Sequence, residues 1–298
     1  MHNASASPIG GRNGNAERVG SLQSQAQNGT ANTQKEVAQS GDLASICAQV
    51  HAKVEKFLNR KAENERLRRT QEQTRESLGV IGEALEKYSP SALSLSYNGG
   101  KDCLVLLILY LSALHTYATN PSTPNSNRTL PPSLQSIYII PPDPFPEVDE
   151  FVKRTSEQYH LSLHRSTQPM KAAFASYLET QPNIRAIFVG TRRTDPHGAQ
   201  LTHFDATDGG WPAFMRVHPV IDWNYPDIWT FIRGVGVEYC ILYDLGYTSL
   251  GGVGDTLPNP ALRRDGEVAN GTKKEDADSY RPAYELVEDD EERLGRDR

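Results

Sequence analysis

Apolar positions along the chain change period several times, and each change marks an element. After Asp42, which reads as an N-cap, large apolar residues fall at Leu43, Ile46, Val50, Val54, Phe57 and Leu58, the three- and four-residue steps of one helical face. From Asn59 to Ser77 the chain is almost wholly polar, so solvated helix or a bend is expected there, and Leu67→Ala is expected to do little. A second helical face follows at Leu78, Ile81, Leu85 and Tyr88, and Pro90 breaks it. Residues 92–97 then predict a short buried strand running into Asn98-Gly99-Gly100. The apolar run 103–117 predicts a buried helix from its length and leucine content.

Alternation continues with strands at 136–140, 161–165 and 186–189 and helices at 147–159 and 170–178. Strands and helices at this spacing predict an α/β fold, a Rossmann-like parallel sheet with helices on both faces. Ligands of such sheets bind beyond the carboxyl ends of the strands, which directs attention to 98–102, 141–147 and 190–195. Past Pro196 regularity fails, apart from a short helix at 226–232. Residues 1–40 hold no aromatic residue and few large apolar ones, a composition expected to stay disordered. One domain at 41–298 is expected, with a core at 90–245 and a less regular part at 246–298 closing over the site. Residues 119–132 read as a surface loop and 265–279 as a polar, mobile stretch.

Composition narrows the partners. The 298 residues carry 31 Lys plus Arg against 37 Asp plus Glu, a formal net charge of -6. That balance argues against a life on nucleic acid or an anionic membrane, so an anionic ligand must meet a local basic cluster. Cys47, Cys103 and Cys240 show no metal or disulfide spacing, which suits a reduced, cytoplasmic protein. A transit peptide is the minor alternative, given Arg12 and Arg18 in a serine-rich start. The best apolar run, 103–114, falls short of a membrane span. A monomer is the expectation.

The densest chemical signal is Ser96-Tyr97-Asn98-Gly99-Gly100-Lys101-Asp102-Cys103, a strand that passes through two glycines into a helix. Glycines let a ligand approach the backbone, and helix N–H groups and dipole favour an anion there. Lys101 adds positive charge, Asn98 a donor, and Asp102 a carboxylate suited to Mg²⁺ beside phosphates. The run does not fit GxxxxGK[ST]. The bland alternative is a tight Asn-Gly turn at a helix start.

This run resembles the pyrophosphate-binding loop of adenine nucleotide alpha hydrolases, departing from their common Ser-Gly-Gly-x-Asp-Ser/Thr at Asn98 and Cys103. Together with Gly190-Thr-Arg-Arg-Thr-Asp-Pro196, Phe214-Met-Arg-Val-His-Pro219, Tyr247-Thr-Ser-Leu-Gly-Gly252, Leu257-Pro-Asn-Pro-Ala-Leu262 and Tyr280-Arg-Pro-Ala-Tyr-Glu-Leu286, it resembles the eukaryotic, fungal-type FAD synthase (FMN adenylyltransferase) family of the PAPS reductase-like group. The resemblance spans roughly 43–298.

That family implies transfer of the adenylyl group of ATP to FMN, giving FAD and pyrophosphate with Mg²⁺. It implies catalytic roles for Asn98, Lys101, Asp102, Arg293 and Arg296. ATP contacts follow at Ser96, Tyr97, Asn98, Gly99, Gly100, Lys101, Ile139, Ile140, Gly190 and Arg192. FMN contacts follow at Asp195, Asp208, Trp211, Arg216, Arg293 and Arg296, and metal ligands at Asp102 and Asp195. Asp208 and Trp211 would meet the isoalloxazine ring by an N3–H hydrogen bond and by stacking. Read from the residues alone, they are a Gly-Gly turn closed by a tryptophan. Arg293 and Arg296 alone would be solvated tail charges, whereas the family brings them back to the phosphates, with the tail from Tyr280 ordered. Residues 141–147 line an adenine pocket with Ile139 or Ile140, or form a rigid proline turn. His197, His203 and His218 have no metal-ligand spacing. Sulfonucleotide reduction is rejected because no cysteine follows Cys240. The remaining alternative is a nucleotide-binding protein with another adenylyl acceptor, or a regulator without catalysis.

Overall fold

Six short strands carry the centre of the computed structural model, which describes residues 41–120, 128–264 and 280–296. They are β1 (Leu93–Ser96), β2 (Leu134–Ile139), β3 (Leu161–Ser166), β4 (Ala186–Phe188), β5 (Phe204–Ala206) and β6 (Met215–Val217), in the order β3-β2-β1-β4-β6-β5. All neighbours are parallel except β5 and β6. From β1 the chain steps outward to β2 and β3, then returns to β4 on the other side of β1. The topological switch point therefore lies between β1 and β4, where sheets of this kind open a crevice for ligands. The loops at 97–100 and 189–195 both leave the sheet there.

Among the described residues, six α-helices surround the sheet: α1 (Leu43–Leu58), α2 (Glu65–Tyr88), α3 (Lys101–Thr119), α4 (Pro146–Gln158), α5 (Met170–Thr180) and α6 (Tyr225–Val235). Strand alternation divides the core. Ala186, Phe188 and Tyr138 join the large cluster that holds α1, α2, α3, α4 and α6, whereas Ile187 and Ile137 join Phe174 and Tyr177 of α5 on the opposite face. By length and composition α3 is apolar enough to cross a bilayer, and it extends the expected helix at 103–117 by two residues at each end. It packs against α1, α2 and α6, which accounts for its apolar surface on every side.

Of the polar stretch after Asn59, residues 59–64 form the expected bend between two helices, and 65–77 begin α2 as a helix that is only partly solvated. Asn64 caps α2 at 2.8 Å through the Leu67 N–H, and the helix buries a stripe of Thr70, Gln71, Thr74 and Ser77. These polar groups are satisfied: Thr74 donates to Thr70 O at 2.7 Å, Ser77 to Pro219 O at 2.7 Å, and Gln71 to Phe57 O and Arg60 O. Leu67 is 6% exposed and belongs to the core, so Leu67→Ala leaves a cavity costing about 2–5 kcal/mol rather than little. Strands β5 and β6 are a second difference. At three residues each they are too short for a period to register. The expectations for 1–40, for most of the 119–132 loop and for 265–279 lie outside the described residues.

Candidate active site

The loop after β1 has the shape its glycines require. Gly99 adopts φ +74°, and a Cβ there would lie 2.7 Å from Val152 Cγ2. Asn98 Oδ1 accepts the Gly100 N–H at 2.9 Å, and the Lys101 N–H donates to the Tyr243 hydroxyl at 2.8 Å. Gly100 is the N-cap of α3 and contributes no side chain to it. Gly190 presses on the same turn, since a Cβ on it would lie 3.0 Å from Cys103 Sγ and 3.1 Å from the Cys103 nitrogen. This close approach joins the two loops of the switch point.

Beneath them sits an ion cluster. Lys101, 2% exposed, pairs with Asp102 at 3.0 Å and with Glu292. Arg192, 0% exposed, pairs with Asp102 at 3.0 Å, Asp195 at 3.4 Å, Asp289 at 3.6 Å and Glu292. Burial opposes the charge on both bases, but the carboxylates outweigh it and hold their pKa values above normal. Burial likewise opposes ionisation of Asp102, and Arg192 with Lys101 overcomes it, leaving that carboxyl below its usual value. Asp195 goes the other way: burial and then the Asp102 charge raise it despite Arg192.

Lys101 and Arg192, expected as direct ATP contacts, are thus sealed against carboxylates. Tyr97 also turns inward, its hydroxyl 2.9 Å from Thr155 Oγ1 within the core. Ser96 ends β1 half-buried. Ile139 packs on the α5 side and Ile140 against the larger cluster, so the two do not share one surface.

The tail returns to the site as expected, by a different residue. Glu292 enters the ion cluster, and its carbonyl accepts from Thr248 Oγ1 at 2.6 Å. Arg293 next to it is exposed; its carbonyl accepts the Arg296 N–H at 3.0 Å, and its side chain makes no hydrogen bond or ion pair among the described residues. Arg296 lies over Gly251, pairs with Asp255 at 3.2 Å and bridges to Thr256, so its head group is outside the ion cluster. Gly252 bridges to Pro144, which seats this segment beside the proline loop. Sequence reasoning missed Glu292, Asp289, Tyr243 and Thr248. Thr248 stands inside a run already noted for its resemblance, but Glu292 lies beyond the last of them, and acidic tail residues carry no signal of burial.

The remaining expected residues gather on the α5 face. Trp211, 37% exposed, and Gly210, Pro212 and Ala213 line a cleft of about 720 Å³ with Pro169, Lys171 and Leu178. Phe174 stands 6.3 Å from the Trp211 ring. Asp208 is exposed and accepts the Trp211 N–H through its carbonyl at 2.9 Å, forming the turn. Arg216 pairs in register with Ile187, which puts its side chain on this face.

Four carboxylates around two cations leave two negative charges over, and Asp102 Oδ1, buried, meets Arg192 Nε at 3.0 Å as an ion pair without hydrogen-bond alignment. An all-oxygen set with excess negative charge fits a hard divalent cation such as Mg²⁺. Elsewhere, Glu76, His203 and Asp222 bring three ligand atoms within 4.8 Å, a proximity that their sequence spacing hides. Glu76 is exposed and Asp222 is held by Arg193 at 2.6 Å.

A family model of the phosphoadenosine phosphosulfate reductase domain matches residues 92–258. A probable FAD synthase of Schizosaccharomyces pombe is 40% identical over 83% of this chain and 87% of its own length. The flavin adenine dinucleotide synthase of Saccharomyces cerevisiae is 35% identical over 73% and 86%. Candida glabrata FMN adenylyltransferase, solved with FAD and inorganic pyrophosphate, superposes with a TM-score of 0.79 at 32% identity, over 88% of this chain and 99% of that one. The same enzyme solved with FMN and the ATP analog AMPCPP gives 0.77. With its parallel sheet, its glycine cradle at the switch point and this extent of identity, the chain belongs to the FAD synthase family, within the wider phosphoadenosine phosphosulfate reductase domain family.

Proposed function

We propose that this protein is an FAD synthase that transfers the adenylyl group of ATP to FMN. The observation that carries the reading is the glycine cradle at the start of α3, backed by buried paired charge, on the same sheet as an open aromatic cleft. Such a site suits a substrate with a polyanionic part and a flat aromatic part. The relatives solved with FMN and AMPCPP, and with FAD and pyrophosphate, support the same assignment.

In the reaction an oxygen of the FMN phosphate attacks the α-phosphorus of ATP. A new P–O bond forms, the bond to the bridging oxygen breaks, and pyrophosphate leaves with the electron pair. The attacking oxygen is already anionic near neutral pH, with the second phosphate pKa near 6, so no side chain need remove a proton. The protein's work is alignment and charge compensation. The backbone N–H of Gly99 and the positive end of α3 receive phosphate oxygens, and Asn98, whose Oδ1 holds the Gly100 N–H, adds its Nδ2 as a donor. Lys101 and Arg192 act one layer below, keeping Asp102 ionised and in place. Asp102 and Asp195 are the residues that would hold Mg²⁺, which supplies charge neutralisation to the phosphates when bound. Arg293, uncommitted at the rim, is the cation best suited to the phosphates passing between substrates, and Arg296 braces the turn that presents it. Trp211 stacks on the isoalloxazine ring, Asp208 accepts its N3–H, and Arg216 steadies the chain toward the phosphate. Ile140 or Ile139 meets adenine.

The test is incubation with FMN, ATP and Mg²⁺, followed by chromatography for FAD and pyrophosphate. FAD from FMN but not from riboflavin is expected. ATP binding without FAD would defeat the assignment. The protein is further proposed to act as a cytoplasmic monomer of 33.0 kDa, which light scattering and cell fractionation would check.

A further inference from the structure

Glu292 has no part in the scheme above, yet no other carboxylate is so completely enclosed by the site. Its two carboxylate oxygens divide between Lys101 and Arg192, the two buried cations. Its backbone is tied as firmly. The carbonyl accepts from Thr248, and Asn259 Nδ2 donates to Thr248 Oγ1 at 2.8 Å and to the Glu291 carbonyl at 2.7 Å. Downstream, the Leu257 N–H donates to the Gly295 carbonyl at 2.8 Å, and a Cβ on Gly295 would lie 2.3 Å from Leu257 O. The turn 292–296 is therefore clamped at both ends, and its only free cation, Arg293, directly follows the clamped residue.

Burying a fourth carboxylate beside Asp102, Asp195 and Asp289 is costly unless something is gained by fixing the geometry. A tail held only for stability needs no charge at this depth, since an apolar side chain would hold it with less desolvation. We infer that Glu292 is a positioning residue for adenylyl transfer: by bridging Lys101 and Arg192 it locks the C-terminal turn to the phosphate cradle and fixes where Arg293 stands. The inference rests on the adenylyl-transfer reading. It adds that the buried bases serve as anchors for the tail as well as partners of Asp102.

The experiment compares the full-length wild type, Glu292→Gln, Arg293→Ala and the double variant in steady-state FAD formation. Glu292→Gln is expected to lower kcat about 100-fold, the scale of a ~1 Å misplacement, with KM for FMN within about threefold. In the double variant the two losses are expected not to multiply, because Arg293 has already lost its place. A kcat within about threefold of wild type overturns the inference, as do losses that multiply. Circular dichroism reports the fold. If Glu292→Gln does not fold, Glu292→Asp decides: it keeps the charge but retracts it by one methylene. A folded Glu292→Asp with reduced kcat supports the anchor. A folded Glu292→Asp with wild-type kcat, or loss of fold in both variants, overturns it. Wild-type protein that makes no FAD defeats the underlying assignment instead, before any variant is compared.

Discussion

The ion cluster under Gly99 and Gly100 and the cleft at Trp211 handle the two halves of the proposed substrate pair in opposite ways. In the cluster, Lys101 and Arg192 are buried, each held by at least two carboxylates, and Asp102 depends on them for its ionised state. In the cleft, Trp211 is exposed, Asp208 stands in solvent and the lining is largely apolar. Charge that must be ready before a polyanion arrives is built into the core, where the low dielectric makes each pairing matter to the fold. A flat ring asks only for a surface to stack on. Function and stability are therefore coupled in the cluster and separable in the cleft.

Asp102→Ala should be the most damaging change. It removes one of the two carboxylates that Lys101 and Arg192 share, leaving Lys101 with Glu292 alone. Breaking a buried pair costs about 3–5 kcal/mol, so both FAD formation and the urea midpoint should fall. Retention of full stability would show that the cluster is not a structural unit. Arg293→Ala sharpens the contrast from the rim, because its side chain is exposed and unpaired. FAD formation should drop about 100-fold or more, as expected for a lost transition-state charge contact, while unfolding shifts by under ~0.5 kcal/mol. Wild-type activity in this variant would remove the tail from the reaction.

These two variants also mark what the sequence made legible. The first half of the fold could be read because its strands are bounded by Gly and Pro and its helices keep period: 161–165 and 170–178 differ from β3 and α5 by one and two residues at one end. Asp102 and Arg293 could be singled out because motif order survives without structure. Glu292 could not, since burial of a charge depends on partners 191 and 100 residues away. The α2 stripe was hidden for a related reason. Thr70, Thr74 and Ser77 look like surface residues until the carbonyls and side chains that satisfy them are seen.

Trp211→Ala probes the open side. Losing an aromatic stack is worth about 1–3 kcal/mol, so KM for FMN should rise roughly 5- to 150-fold with kcat for saturated enzyme little changed. A fall in kcat with unchanged KM would mean that the ring orients the phosphate rather than binding the flavin.

The smallest expected effect concerns acidity within the cluster. Burial first, and the neighbouring Asp102 charge second, make Asp195 harder to ionise in the folded protein than in the unfolded chain. As pH rises from the ordinary value of 3.8 to that raised folded value, the unfolded chain releases this proton before the folded one does. Stability therefore declines across that interval and the penalty persists above it. Asp195→Asn keeps an oxygen for the Arg192 N–H, now 2.8 Å from the carboxylate, but has no proton to release. Relative to wild type it should gain stability progressively through that interval and keep the gain at neutral pH, as urea unfolding at a series of pH values would measure. The same variant should lose FAD formation if Asp195 helps to hold the metal. A variant less stable than wild type at neutral pH would mean that the attraction of Arg192 outweighs burial and the repulsion of Asp102, placing Asp195 among the residues that stabilise the cluster.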